Sequence, residues 1–499
     1  METKTPVNDR SVWRKKPMYL FEQDIQKSEL KRVLGKWSLT AIGIGAIIGG
    51  GIFVLTGTAA HYHAGPALAL SFIVAGIGCI FAALCYGEFA SMLPVEGSAY
   101  AYAYGTIGEL FAWAIGWGLI LEYAMGAMTV AVSWSGYFNK LIHLFGIEIP
   151  FWLRNDPVSA ANYAELNGLE APAFAINLPA FLIVWLVTYI LIKGIKEAAN
   201  TNNMIVILKV AAVIFVIVVG AFYIIPENWK PFIPEPTTIP GENGQPHDAY
   251  GWGGILSGAS AIFFAYIGFD AVSTQAGEAV NPRKDMPFAI ITSLLVCTVL
   301  YILVSLVLTG MINYQDIVGD ALKAPVAYAF DKAGQGWAVF IITLAATVGL
   351  VSVMLVMMLG QTRVFLGMAK DGLLPGFFRE IHPKFKTPWK STVLVGTIVS
   401  IVAAFTPISL LGDMTSFGTL FAFAMVCLAV WILRRRDPDR ERPFRAPALN
   451  IIAPLGIIVN TVLIFNLSGL AQKLAVVWLL LGMIVYFVYS RRNSKLNDL

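Results

Sequence analysis

Gly43-Ile44-Gly45-Ala46-Ile47-Ile48-Gly49-Gly50-Gly51-Ile52-Phe53 places five glycines in the nine positions from 43 to 51, inside an apolar run. Each glycine costs about 1 kcal/mol of helix propensity relative to alanine. Only positions three or four apart share a helix face, so three consecutive glycines exceed what close helix packing needs. The stretch predicts a membrane helix that unwinds at mid-depth. Unwinding exposes amide N–H groups at the start of the outer half and carbonyls at the end of the inner half, and these ends carry opposite partial charge. An α-amino acid zwitterion fits such a break: its carboxylate takes the amides and its ammonium the carbonyls, without a charged side chain.

The flanking sequence supports a membrane setting. Of 499 residues, 57% are hydrophobic and 13% charged, too few charges to cover a water-soluble surface. At about 20 apolar residues per crossing, the chain reads as an all-α polytopic membrane protein with about twelve transmembrane helices. The expected organisation is a cytoplasmic segment 1–37, spans one to five over 38–225 and an extracellular loop 226–254. Spans six to ten follow over 255–433, then a basic cytoplasmic loop 434–448, spans eleven and twelve over 449–490 and a tail 491–499. The polar, basic N-terminal segment does not have the form of a cleaved signal peptide, so the first span reads as a retained anchor.

Sorting Lys and Arg by loop puts 28 of the 35 on the side of the N-terminus and six on the other. This asymmetry orients both termini to the cytoplasm, in a plasma (bacterial inner) membrane. The net charge of +4 therefore reports topology and not nucleic-acid binding. Cys79, Cys85, Cys297 and Cys427 all fall in apolar runs and read as core residues rather than disulfides or metal ligands.

A second interruption, Phe263-Phe264-Ala265-Tyr266-Ile267-Gly268-Phe269-Asp270, lies in the sixth span. Breaks five spans apart fit an inverted-topology repeat of spans one to five and six to ten around a midplane site. Lys209 is the one basic residue in mid-membrane. Its insertion cost of about 2.5 to 3.5 kcal/mol predicts that it faces the protein interior, either tying helices together or gaining and losing a proton during transport. Asp270 can relay protons or cap a helix. Glu88, Glu109 and Glu122 read first as paired structural acids, with Glu122 also kept as a candidate for proton coupling. Glu278 reads as a cap or ion-pair partner.

His61 and His63, in the first outer loop, are too few for a metal site. Trp113, Trp117, Tyr100, Tyr102 and Tyr104 read as interfacial and packing aromatics. Met354, Met357 and Met358 crowd the eighth span, and Met354 is the candidate pocket wall.

These motifs together, with Pro94-Val95-Glu96-Gly97-Ser98-Ala99-Tyr100, Gly108-Glu109-Leu110, Gly116-Trp117, Phe269-Asp270 leading to Glu278-Ala279-Val280-Asn281-Pro282, Arg363-Val364-Phe365 and Asp371-Gly372, resemble the amino acid-polyamine-organocation superfamily. Within it the chain is most similar to bacterial members of the cationic amino acid transporter family. The resemblance implies the LeuT-type five-plus-five inverted repeat plus two C-terminal helices, and alternating access. It places the substrate carboxylate on the amides of Gly49, Gly50 and Gly51, and the ammonium on carbonyls near Ile44, Ile47, Phe264, Ala265 and Ile267. It also implies that Lys209 stands where sodium-coupled members of the wider fold bind sodium, and that Asp270 responds to protons. Eukaryotic members commonly have about fourteen helices, and not all members share Lys209.

The expected function is proton-coupled import of small neutral L-amino acids such as L-alanine, because the eighth span offers an apolar wall and a buried unpaired cation is costly. The alternatives are a cationic amino acid (arginine or lysine) transporter and an exchanger. Protons are the expected coupling ion, with no sodium and no cofactor; the expected partners are the substrate and membrane lipids. No converging set of nucleophile, base and metal ligand points to an enzyme.

Overall fold

The computed structural model describes residues 11–17, 19–21, 34–92, 98–193, 198–241, 246–273, 279–385 and 387–498. Pro94 to Gly97 of the motif above and Glu278 lie outside the described residues.

The first span is two pieces. Helix α1 (Lys36–Ile47) stops where Ile48 becomes extended (φ −70°, ψ 103°), and the chain resumes as a wide helical turn at Gly51–Leu55, an α-helical turn at Thr56–Ala59 and a second wide turn at Ala60–Ala64. His61 and His63 sit in the last of these turns, not in a loop. Gly65 leaves helical geometry at φ 59° and leads into α2 (Leu68–Met92). There follow α3 (Ser98–Thr106), α4 (Glu109–His143), α5 (Pro157–Leu166), α6 (Leu178–Lys193) and α7 (Ala198–Gly220). A hairpin, β1 (Thr237–Pro240) against β2 (Pro246–Ala249), precedes the sixth span.

That span is also two pieces: α8 (Gly251–Ala261) tightens into the turn Ile262–Tyr266, Ile267 is extended, Gly268 has φ 120°, and α9 (Phe269–Ser273) restarts. After it come α10 (Pro282–Met311), α11 (Pro325–Lys332), α12 (Gly336–Lys370), α13 (Trp389–Phe405), α14 (Ile408–Arg436), α15 (Leu449–Phe465) and α16 (Gly469–Val485).

Among the described residues, eight helical runs are long and apolar enough to cross a membrane, and α6, α13 and α15 are shorter apolar helices. This is a polytopic helical membrane protein. Helices α4 and α12, of 35 residues each, are longer than the crossing length, ending at His143 and Lys370. Hydropathy reads only the lipid-buried part, and polar ends such as Asn139-Lys140 continue the helix beyond it. The core forms where α4 packs between α12 and α14, α2 lies along α10, and α1 fits between α10 and α7.

The buried acids at one end lock this packing. Glu109, wholly buried, accepts from Arg14 Nε and Nη2, each at 3.1 Å, and from the Tyr486 and Ser494 hydroxyls. The segment around Arg14 is itself strapped to the bundle by Glu109 N–H to Arg14 O and Lys16 N–H to Tyr104 O. Glu88 is held by Arg434, Arg442 and the Ala446 amide. The reading of Glu88 and Glu109 as paired acids matches this geometry. Trp113 and Trp117 are packing residues: their indole N–H groups donate to the Gly482 and Trp478 carbonyls of α16. The four cysteines are buried free thiols.

Candidate binding site at two broken helices

The two breaks touch each other. A Cβ on Gly51 would lie 2.3 Å from the Ala265 Cα, and one on Gly268 2.7 Å from the Ala46 carbonyl carbon, so both positions admit only glycine at this separation. Gly50 is equally confined, 2.6 Å from the Ser133 hydroxyl at the Cβ position, and Gly49 faces the Val353 methyls at 3.2 Å. The glycines expected to unwind the first span thus also let the sixth span approach it.

Polar groups at the breaks divide by sign. The resumed helix begins at Gly50 and Gly51, and the first amides of a helix find no partner within it, which leaves N–H groups at the break. On the carbonyl side, Lys209 extends its ammonium to the oxygens of Gly45 (2.7 Å) and Ile48 (3.2 Å). Tyr301 donates to Ile47 O at 2.8 Å, and Ile48 N–H donates to Ile44 O at 2.9 Å. Ile44 and Ile47, expected to meet a substrate ammonium, therefore already have one partner each. In the sixth span Ile267 N–H takes the Phe264 carbonyl at 3.1 Å. Among the described residues no side chain or loop amide reaches the carbonyls of Ala265 and Ile267.

Lys209 is 1% exposed, with its stem against α12, where a Cβ on Gly349 would meet its Cγ at 2.8 Å. Gly349, Val353 and Met357 lie at successive turns of α12; Met357 Sδ faces Gly126, as does the Phe264 ring. Met354 is buried, one position beyond Val353. Sequence reasoning passed over Val353, Tyr301 and Ser416, whose hydroxyl accepts Phe264 N–H at 3.1 Å. The four-residue spacing of Gly349 and Val353 was the available signal for the stripe; nothing local marked Tyr301 or Ser416.

Asp270 accepts the Gly268 amide at 3.1 Å and the Tyr123 hydroxyl at 2.9 Å, so it both caps the restarted helix and ties it to α4. Glu122 departs from the paired-acid reading. It is fully buried, and among the described residues neither carboxylate oxygen has a hydrogen-bond partner. The Thr419 hydroxyl beside it is donated instead to the Thr415 carbonyl. A separate cavity begins within a turn of Gly51, over Val54, Thr58, Val132 and Ile408, and reaches Asp156 and Lys323.

The amino acid permease family model matches residues 34–490. The branched-chain amino acid permease BcaP of Bacillus subtilis (strain 168) is 45% identical over 98% of this chain and 99% of its own length. The methylthioribose transporter of the same organism is 41% identical over 98% and 99%. The vacuolar cationic amino acid transporter 4 of Arabidopsis thaliana is 38% identical over 82% of this chain and 64% of its own length. The match extends through both broken spans and nearly the whole chain, and these relatives are transporters, not enzymes; the chain belongs to the amino acid permease family of the amino acid-polyamine-organocation superfamily.

Proposed function

We propose that the protein imports neutral L-amino acids together with a proton, by alternating access about twelve transmembrane helices arranged as a five-plus-five inverted repeat plus two. The observation that carries this reading is the pair of touching breaks, with amides at Gly49 to Gly51 on one side and the Ala265 and Ile267 carbonyls on the other. An α-carboxylate and an α-ammonium bridge such a gap, while the side chain turns toward Val353, Met354 and Met357. This apolar wall favours alanine and branched aliphatic side chains over a cationic one, in keeping with the substrate in the first relative's name. A thio-sugar such as methylthioribose has no carboxylate for the amides, so a competition screen separates the two readings.

Coupling rests on Lys209, Asp270 and Glu122. When protonated, Lys209 bridges the Gly45 and Ile48 carbonyls of the inner half-helix; deprotonated, it loses the charge that strengthens both bonds and loosens its hold on that half. Both termini face the cytoplasm in this scheme, in the plasma membrane.

The test is uptake into empty proteoliposomes under an inward pH gradient without sodium. Wild-type protein should concentrate alanine or a branched-chain amino acid. Lys209→Ala should show no accumulation while retaining substrate counterflow; accumulation by this variant would remove Lys209 from the coupling role. Trimming Met357 to Ala should let longer side chains compete, and unchanged selectivity would remove it from the wall.

A further inference from the structure

A groove of roughly 360 Å³ runs between the start of α10 and the loop before α15. Its mouth holds Arg283 and Lys284, and its wall holds Phe288, Ile291, Thr292 and Phe444. From Lys284 to Thr292 the helix advances about 12 Å at 1.5 Å per residue. Two cations thus lie at the level of membrane headgroups, with aromatic and aliphatic surface continuing to acyl depth.

The local acids leave the cations open to an outside anion. Arg283 faces Glu441 at 3.6 Å, with both side chains more than half exposed, and such a pair contributes little. Asp285 is engaged by the Asn281 amide. A small aqueous anion would use the mouth and gain nothing from the apolar wall, whereas a phosphate diester joined to hydrocarbon uses both.

We infer that this groove holds one anionic phospholipid, its phosphate on Arg283 and Lys284 and an acyl chain along Phe288 and Ile291. The occupant bears on transport because Phe288 seats the root of α1: its ring lies 5.2 Å from Trp37, edge to face, and 5.1 Å from the Lys36 ammonium. Pro287 and Phe444 in turn bracket Gly87 of α2. A lipid in the groove braces the inner half of the broken first helix against α10.

Native mass spectrometry of the purified full-length protein, titrated with phosphatidylglycerol or phosphatidylcholine, tests this without relying on transport. Wild type should retain one phosphatidylglycerol in preference to phosphatidylcholine, and millimolar inorganic phosphate should not displace it. Replacing both Arg283 and Lys284 by Ala should weaken retention roughly thirtyfold. Ile291→Trp, which fills the wall and keeps both cations, should also lose the lipid. Equal retention by wild type and the double variant, retention by Ile291→Trp, or displacement by inorganic phosphate each overturns the assignment. Because lipid retention is the readout, these outcomes stand apart from any failure of proton-coupled uptake.

Discussion

Lys209 shows how one residue can be legible in its type and depth but not in its partners. A lysine within an apolar run had to face inward, but which carbonyls it meets depends on how α7 packs on α1, a distance of more than 160 residues along the chain. Its stem is shaped by Gly349, where a Cβ would stand 2.8 Å from Lys209 Cγ. Gly349→Ala should therefore displace the ammonium from the Gly45 and Ile48 oxygens. The expected result is a shift in the pH dependence of uptake with substrate affinity in equilibrium binding little changed; an unaltered pH profile would show that the stem yields without moving the ammonium. Glu122 was the opposite case. It was read as a paired acid, and only the packing of α4 against α14 shows two buried oxygens with no partner among the described residues.

The breaks were legible as elements because glycine runs and a glycine beside an acid contradict the helical pattern around them. Their mutual contact was not, since Gly51 against Ala265 is a tertiary fact. The tight turn Ile262–Tyr266 is pinned from outside by Ser416, which accepts the Phe264 amide. Ser416→Ala should leave that buried N–H unsatisfied and lower stability by about 1–3 kcal/mol, seen as a lower midpoint in thermal unfolding in detergent.

The hairpin of β1 and β2 was missed altogether, its loop having no alternating apolar pattern. It is fastened where Tyr250 N–H meets His63 O at 2.6 Å and the His63 and His247 rings meet edge to face at 4.9 Å. Burial holds the His247 imidazole below its ordinary value of 6.5, against a smaller upward pull from its hydrogen bond to the Tyr62 backbone. A depressed imidazole favours the neutral form, so this contribution is complete above pH 6.5 and fades as pH falls below it. Protection factors for the amides of residues 247–250, corrected for the intrinsic pH dependence of exchange, should fall on acidification through that range, and His247→Gln should flatten the response.

For the whole molecule, composition and apolar run length were enough to establish a polytopic helical protein, because lipid leaves the backbone few alternatives. The lateral arrangement was not readable, since it depends on pairs such as Trp117 with Trp478, stacked at 4.5 Å across sequence-distant helices. The assembly around Glu109 joins the largest sequence separations. Glu109→Ala would take the counter-charge from the Arg14 guanidinium, itself 4% exposed, and leave it only the neutral acceptors Asn497 Oδ1 and Arg491 O, at a cost of about 3–5 kcal/mol. A drop of that size should appear in thermal unfolding, and a small change would mean that solvent or another acid reaches Arg14.

This arrangement also constrains biosynthesis. Arg14 and Glu109 leave the ribosome 95 residues apart, but the Tyr486 and Ser494 hydroxyls that complete the carboxylate's coordination follow Glu109 by 377 and 385 residues. A nascent chain stalled before residue 486 holds an incompletely solvated acid among apolar helices, a defect that membrane quality control can recognise as unfinished.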